Sequence, residues 1–248
     1  MSEDTHTPDI VRPPQAIVDG LREVGAATCG GELKKLGIVD PTILGPTAFT
    51  PGKVVAGPAL TLQFLPIRED VYNQDEYSGP EQQLHRHALY HTQPGDVICV
   101  DARGNMKSGV FGNMMLTFFQ GRGGQGVVID GCIRDFPIVK RDLDLGLWLR
   151  GGTPNFHTQT AIYPYAVNVP IGMNDTLVMP GDIIVADDDG VVAVPAKLGA
   201  ELLDLSSEHA EWEEFSRQRL LAGGHLKRYY PLSDEARPEY EEWKKTQE

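Results

Sequence analysis

Residues 109–140 read GVFGNMMLTFFQGRGGQGVVIDGCIRDFPIVK, and this stretch decides the fold class. A helical segment, Gly112–Gln120, runs into a glycine-rich reversal, Gly121–Gly126, and then into a short apolar strand, Val127–Asp130. A second helix over Phe136–Asp144 and a strand over Leu147–Arg150 follow. A helix of about nine residues rises ~13 Å, and a return strand of four or five residues covers ~15 Å. The helix start (Gly112-Asn113) and the strand end (Asp130–Asp135) are therefore expected at one edge of a sheet. That corner would gather backbone N–H groups, the guanidinium of Arg134 and the carboxylate of Asp135. Strands and helices alternating in this way predict an α/β domain.

Working outward, PGDVICVDARG (Pro94–Gly104) and PGDIIVADDDG (Pro180–Gly190) echo one another. In each, a Pro-Gly-Asp turn launches a buried strand that ends in an Asp/Gly turn. The echo is either a common way of starting a strand or a sign of two related β units. Val54–Leu65 reads as a strand bent at Gly57-Pro58, Pro66–Pro80 as a polar loop and Glu81–Thr92 as a helix. Gly151–Thr160 reads as a loop, and Ala166–Ile171 and Val191–Pro195 as strands, the latter hairpinned through Asp188-Asp189-Gly190. Gln15–Leu36 is expected to be helical with a break at Cys29-Gly30-Gly31, and Leu198–Leu221 to be one long amphipathic helix stopped by Gly223-Gly224. The expected organisation is a flexible tail over 1–14, a single α/β domain over 15–222 and a helical extension over 223–248.

The chain has 248 residues, with 22 Lys and Arg against 35 Asp and Glu, a net charge of −13. This acidity argues against nucleic acid as the main partner. A hydrophobic content of 41% is ordinary for a folded chain. No apolar run reaches the ~20 residues of a membrane span, so no membrane partner is expected. The polar, acidic first residues do not read as a targeting peptide. Three widely spaced cysteines, Cys29, Cys99 and Cys132, suggest reduced thiols and a cytoplasmic setting.

The 112–135 corner has a chemical logic. N–H groups at a helix start attract anions, carboxylates included. Arg134 offers a planar fork of donors for a carboxylate or a developing enolate oxygen, and Asp135 is a hard oxygen ligand for Mg²⁺ or Mn²⁺. Together they describe a pocket for a 2-oxo acid. The plainer alternative is that Arg134 and Asp135 pair with each other or cap the helix that begins at Phe136-Pro137. Elsewhere, His85, His87 and His91 invite a metal reading but bring no carboxylate or Cys with them. Asp187-Asp188-Asp189-Gly190 reads as a solvated turn, and Gly121–Gly126 as a tight turn in the reverse of the dinucleotide-binding context. Arg150 and His157 could reach the corner from the far side of the sheet. Met114-Met115 and Phe118-Phe119 suit core and interface packing.

Gly112-Asn113, twenty further residues and Arg134-Asp135 inside VIDGCIRD resemble the regulator-of-ribonuclease-activity-A-like family. That family includes the class II 4-hydroxy-4-methyl-2-oxoglutarate and 4-carboxy-4-hydroxy-2-oxoadipate aldolases, and the likeness runs from about Gly20 to Pro195. The resemblance implies a swivelling β/β/α sandwich assembled as a homotrimer or homohexamer with sites at subunit boundaries. It implies that Arg134 holds the substrate's keto and carboxylate oxygens. Asp135 would ligate Mg²⁺ or Mn²⁺ among waters, and the amides of Gly112, Asn113, Met114 and Met115 would hold the pyruvyl carboxylate. The chain departs from the aldolases at Asn113, where they carry an acid that orders metal-bound water, and at Ile138, where some carry another. An amide cannot act as a general base. Retro-aldol cleavage must remove a hydroxyl proton, whereas decarboxylation of an oxaloacetate-type acid needs only enolate stabilisation. The expected function is a divalent-metal-dependent carbon–carbon lyase on 2-oxo acids, as aldolase, decarboxylase or both. The second expectation is a non-catalytic regulator whose acidity suits a basic protein partner.

Overall fold

Strand β2 (Val55–Pro66) carries a different partner on each part of its length. In the computed structural model, which describes residues 7–70, 72, 79, 82–156 and 161–247, Val55–Pro58 pair antiparallel with β9 (Ile183–Asp187), which hairpins onto β10 (Gly190–Val194). Ala59–Gln63 pair in parallel with β3 (Val97–Gly109), followed in parallel by β4 (Gly126–Ile133) and β5 (Gly146–Gly152). β1 (Thr47–Ala48) closes that edge, and β6 (Ile162–Val167) pairs with the end of β2. The changeover falls at Gly57-Pro58. A Cβ at Gly57 would lie 2.0 Å from the Gly95 carbonyl oxygen, so only glycine lets β2 cross there. The result is an eight-stranded, nearly closed sheet beside a small β7 (Ile171–Met173)–β8 (Thr176–Val178) ribbon.

The period of two along the parallel strands separates two cores. Leu60, Ile98, Val100 and Ile129 face α3 (Leu84–Tyr90), α4 (Asn113–Gly121) and α5 (Phe136–Asp142). Val97, Cys99, Val128 and Trp148 face inward, onto Ile184, Ala186, Val191, Met173 and Val178. Outside the β9–β10 hairpin lie α1 (Gln15–Val24), α2 (Ala26–Lys35) and α6 (Gly199–Leu221). This is the mixed α/β sandwich expected. The two Pro-Gly-Asp turns are physically alike: Gly95 and Gly181 both have positive φ, and Asp96 and Asp182 accept the N–H of Gln93 and Met179, each at 2.9 Å. Each launches a strand that flanks β2.

Several expectations are corrected. The first helical segment breaks at Gly25 (φ 83°), where Asp187 Oδ2 accepts the Ala26 N–H, and Cys29-Gly30-Gly31 continue α2. The strand expected over 166–171 is split: β6 runs Ile162–Val167 and ends before Asn168 at φ 51°, and a second short strand begins at Ile171. Residues 7–14 lie against the body: Ile10 is buried, and Arg12 grips the fully buried Asp96 through Nε (2.9 Å) and Nη2 (2.7 Å). Most of the Pro66–Pro80 loop lies outside the described residues. At the far end, Gly223 stops α6 as expected. Beyond it α7 (Leu226–Tyr229) and α8 (Arg237–Lys245) place Tyr229, Ala236 and Tyr240 around Phe215 as a separate small core. No helix of the described residues is long and apolar enough to cross a membrane.

Removing Arg12 would leave the Asp96 carboxylate buried and uncompensated. Arg12→Ala is expected to lower unfolding free energy by about 3 kcal/mol, read from urea denaturation. A change below about 0.5 kcal/mol, the range of ordinary surface substitutions, would show that this segment does not contribute to the fold.

Candidate active site at the start of helix α4

Strand β4 ends at Ile133, and the Arg134 N–H donates to the Phe111 carbonyl at 3.0 Å, tying the strand end to the segment that enters α4. Asp135 then takes a left-handed conformation (φ 57°, ψ 23°). Its backbone oxygen accepts the N–H groups of Ile138 and Val139, so its main chain starts α5. Its side chain makes no cap to that helix. Instead, Asp135 Oδ2 accepts the Asn113 N–H at 3.2 Å, at the first residue of α4. The capping alternative therefore holds for the backbone of Asp135 and fails for its carboxylate. Among the described residues Oδ1 accepts no hydrogen bond.

Two glycines make room for this corner. A Cβ on Gly112 would lie 2.8 Å from both Arg134 Nε and Asp135 Oδ2. A Cβ on Gly109 would lie 2.7 Å from the Asn155 carbonyl oxygen and 3.0 Å from the Arg134 nitrogen. Arg134 Nε stands 3.6 Å from Asp135 Oδ2, and their side chains are 35% and 32% exposed, open enough to meet a ligand. The guanidinium carbon lies 4.8 Å from the centre of the Phe156 ring, which holds the fork over the helix start by a cation–π contact. Helix dipole, guanidinium and carboxylate thus converge on one small volume, as the sequence implies.

All six expected residues meet here. Asn113 Oδ1 accepts the Met114 N–H at 2.9 Å, so the amide side chain already occupies one donor of the helix start. Met115 packs partly into the outer core, whereas Met114 is 70% exposed. Phe119 is buried, and Phe118 is exposed with Tyr90 set edge-on against it.

The other sequence candidates go elsewhere. His85 and His87 are buried residues of α3 itself, and His91 bonds to Thr7 Oγ1 with burial holding its pKa below the usual value. No group of three His, Cys, Asp or Glu side chains suited to a metal occurs among the described residues. Asp187 caps α2 and Asp188 accepts the Gly52 N–H at 3.0 Å, so the acidic turn is a structural tie. Gly121–Gly126 is a reversal, with Gly123 at φ 94° against Pro94. Arg150 turns inward to Asp130 and does not reach the corner, and His157 lies outside the described residues. Sequence reasoning passed over Phe156; the signal available for it was an aromatic in the loop after β5.

Residues 25–193 match the profile of the RraA-like family, described as Aldolase/RraA. The solved structure of Streptomyces coelicolor RraAS2, described as an unusual member of the RNase ES inhibitor RraA protein family, aligns with a TM-score of 0.77 and 42% identity, covering 84% of this chain and 100% of its own. An uncharacterized protein from Pseudomonas syringae pv. tomato aligns with a TM-score of 0.73 and 25% identity, over 89% of this chain and 99% of its own. A Halalkalibacterium halodurans protein named "Putative 4-hydroxy-4-methyl-2-oxoglutarate aldolase" is 38% identical over 108 residues, 44% of this chain. The chain spans 50% of that relative's length.

The close approach at Gly109 is to backbone atoms, which cannot swing aside. Gly109→Ala is expected to cost about 1–3 kcal/mol, whereas Gly31→Ala, in α2 with nothing within 4 Å, should be neutral or stabilising by up to about 1 kcal/mol. Equal effects of the two substitutions in chemical denaturation would contradict the close packing described for the corner.

Proposed function

The chain belongs to the RraA-like, Aldolase/RraA family, and from that premise we propose that it is a divalent-metal-dependent carbon–carbon lyase acting on 2-oxo acids through a pyruvate-type enolate. The observation that carries this reading is the Asp135 carboxylate, turned away from its own helix onto the start of α4 beside Arg134. A pure docking surface has no use for that arrangement.

One carboxylate with a free oxygen, and no second acidic or histidine ligand beside it among the described residues, fits a hard cation that keeps most of its waters. Asp135 would hold Mg²⁺ or Mn²⁺, which when bound supplies Lewis-acid polarisation of the substrate's keto group. The remaining work falls to the chain. The α4 N-terminus attracts the substrate carboxylate, which takes the Met114 N–H in place of Asn113 Oδ1. Arg134, steadied by Phe156 and Asp135, donates to the keto oxygen, and its hydrogen bonds strengthen as negative charge develops there. Asn113 holds no proton-accepting charge, so this corner suits loss of CO₂ from an oxaloacetate-type acid better than retro-aldol cleavage. Aldol cleavage would draw its base from outside the corner, and the aldolase name of the H. halodurans relative supports keeping that branch.

Exposed Met114 and Phe118 on α4 support a homo-oligomer, trimer or hexamer, in which a neighbouring copy covers this helix beside the site. Three free, buried cysteines are in keeping with a cytoplasmic setting. A second reading, a protein-binding regulator, is favoured by the match to RraAS2 across its whole length.

The test is pyruvate release from a panel of 2-oxo acids, oxaloacetate and 4-hydroxy-2-oxo acids included. Activity should vanish with EDTA, return with Mg²⁺, and fall about 100-fold or more in Asp135→Ala with the circular dichroism unchanged. Turnover indifferent to EDTA would refute the metal role. Pyruvate from no substrate would favour the regulator.

A further inference from the structure

Three parallel strands align a polar row on the inner face of the barrel, away from α4. Val100, Ile129 and Leu149 lie side by side on β3, β4 and β5, and all three belong to the core under the helices. The next residue on each strand, Asp101, Asp130 and Arg150, therefore turns the other way. Two residues earlier the same inward face carries Cys99, Val128 and Trp148 of the inner core. The three polar side chains thus stand on an apolar floor. They line an open basin of about 370 Å³, with Gly104, Gly172 and Asn174 among its walls.

We propose that this basin is a second binding site, for a neutral polyhydroxylated molecule of monosaccharide size. Asp101 and Asp130 are 5% and 3% exposed. Asp101 Oδ1 accepts the Arg103 N–H at 3.0 Å, and Oδ2 has no hydrogen-bond partner among the described residues. Asp130 Oδ1 accepts from Arg150 Nε, and its Oδ2 is likewise unpartnered among them. Arg150 Nη2 donates to Asn174 Oδ1 at 3.2 Å, and Arg150 lines the basin. Burial drives the Asp101 carboxyl above its ordinary pKa, the Arg103 N–H and guanidinium oppose this, and the charge of Asp130 adds to the rise.

Charge and geometry select the ligand class. The two carboxylates are balanced by Arg103 and Arg150, so the basin has no net positive charge to hold an anion. A divalent cation would find only two carboxylates, one already neutralised by Arg150. Hydroxyl groups, which donate and accept together, match free carboxylate oxygens beside a guanidinium N–H. The volume is at the small end of ligand pockets. The site owes nothing to the Arg134 corner, which lies on the other face of β4.

The test titrates the full chain with D-ribose, D-glucose and glycerol, by saturation-transfer NMR and calorimetry. Saturable binding of a sugar is expected with Kd of about 1–10 mM. Two variants probe the basin. Gly172→Leu fills it, since a Cβ there meets only the Asn174 carbonyl oxygen at 3.8 Å. Asp101→Asn keeps an acceptor for the Arg103 N–H but removes the free carboxylate oxygen. Both should melt as the parent protein does and weaken binding about tenfold or more, while Arg134→Ala should bind as the parent does. No saturable binding up to about 100 mM, undiminished binding in either basin variant, or loss of binding in Arg134→Ala would overturn the proposal.

Discussion

The contact of Gly57 with the Gly95 carbonyl is the constraint on which the architecture turns. It lets one strand serve two neighbours, antiparallel β9 along its first part and parallel β3 along its second. Because β9 and β10 then fold over the inner face, Val97, Cys99, Val128 and Trp148 are buried without helices. All the crossover helices of β3, β4 and β5 are left on the other face. A parallel pair joined by one helix brings the start of that helix back to the end of its second strand. The candidate site is a direct product of that geometry: α4 leaves where β4 returns, and the left-handed turn at Asp135 closes the gap with one hydrogen bond.

Polar chemistry accordingly divides between the two faces of β4. Outside, a helix start and an open Arg134–Asp135 pair face a surface studded with Met114 and Phe118. Inside, Asp101 and Asp130 sit far more deeply buried at the barrel mouth, with the half-open Arg150 beside them. The outer site is open to solvent. The inner one raises the Asp101 carboxyl by burial. Such contrasting environments suit different ligands, one charged and one neutral.

What could be read from the sequence was what short-range physics controls. The 112–135 corner was legible because helix length, a glycine reversal and a short strand fix where the chain returns within some twenty residues. The Pro-Gly-Asp turns were legible for the same reason, as each Asp binds an N–H three residues before it. The break at Gly25 was not, because the group that stabilises it is Asp187, brought in by the β9–β10 hairpin. Nor was the anchoring of residues 7–14, which depends on Arg12 meeting Asp96 in a distant turn. The inner polar row exists only through strand register, which no single segment specifies. Phe156 escaped notice because its value lies in where Arg134 happens to lie beneath it.

The proposed activity requires the α4 start, Arg134 and Asp135 to recognise a 2-oxo acid together with a divalent metal. Oxalate, a planar dianion shaped like the pyruvate enolate, tests it most directly by calorimetric titration with and without Mg²⁺. Oxalate is expected to bind only when Mg²⁺ is present, and Arg134→Ala to weaken that binding about tenfold or more. Oxalate affinity that is the same without Mg²⁺, or the same in Arg134→Ala, would contradict it.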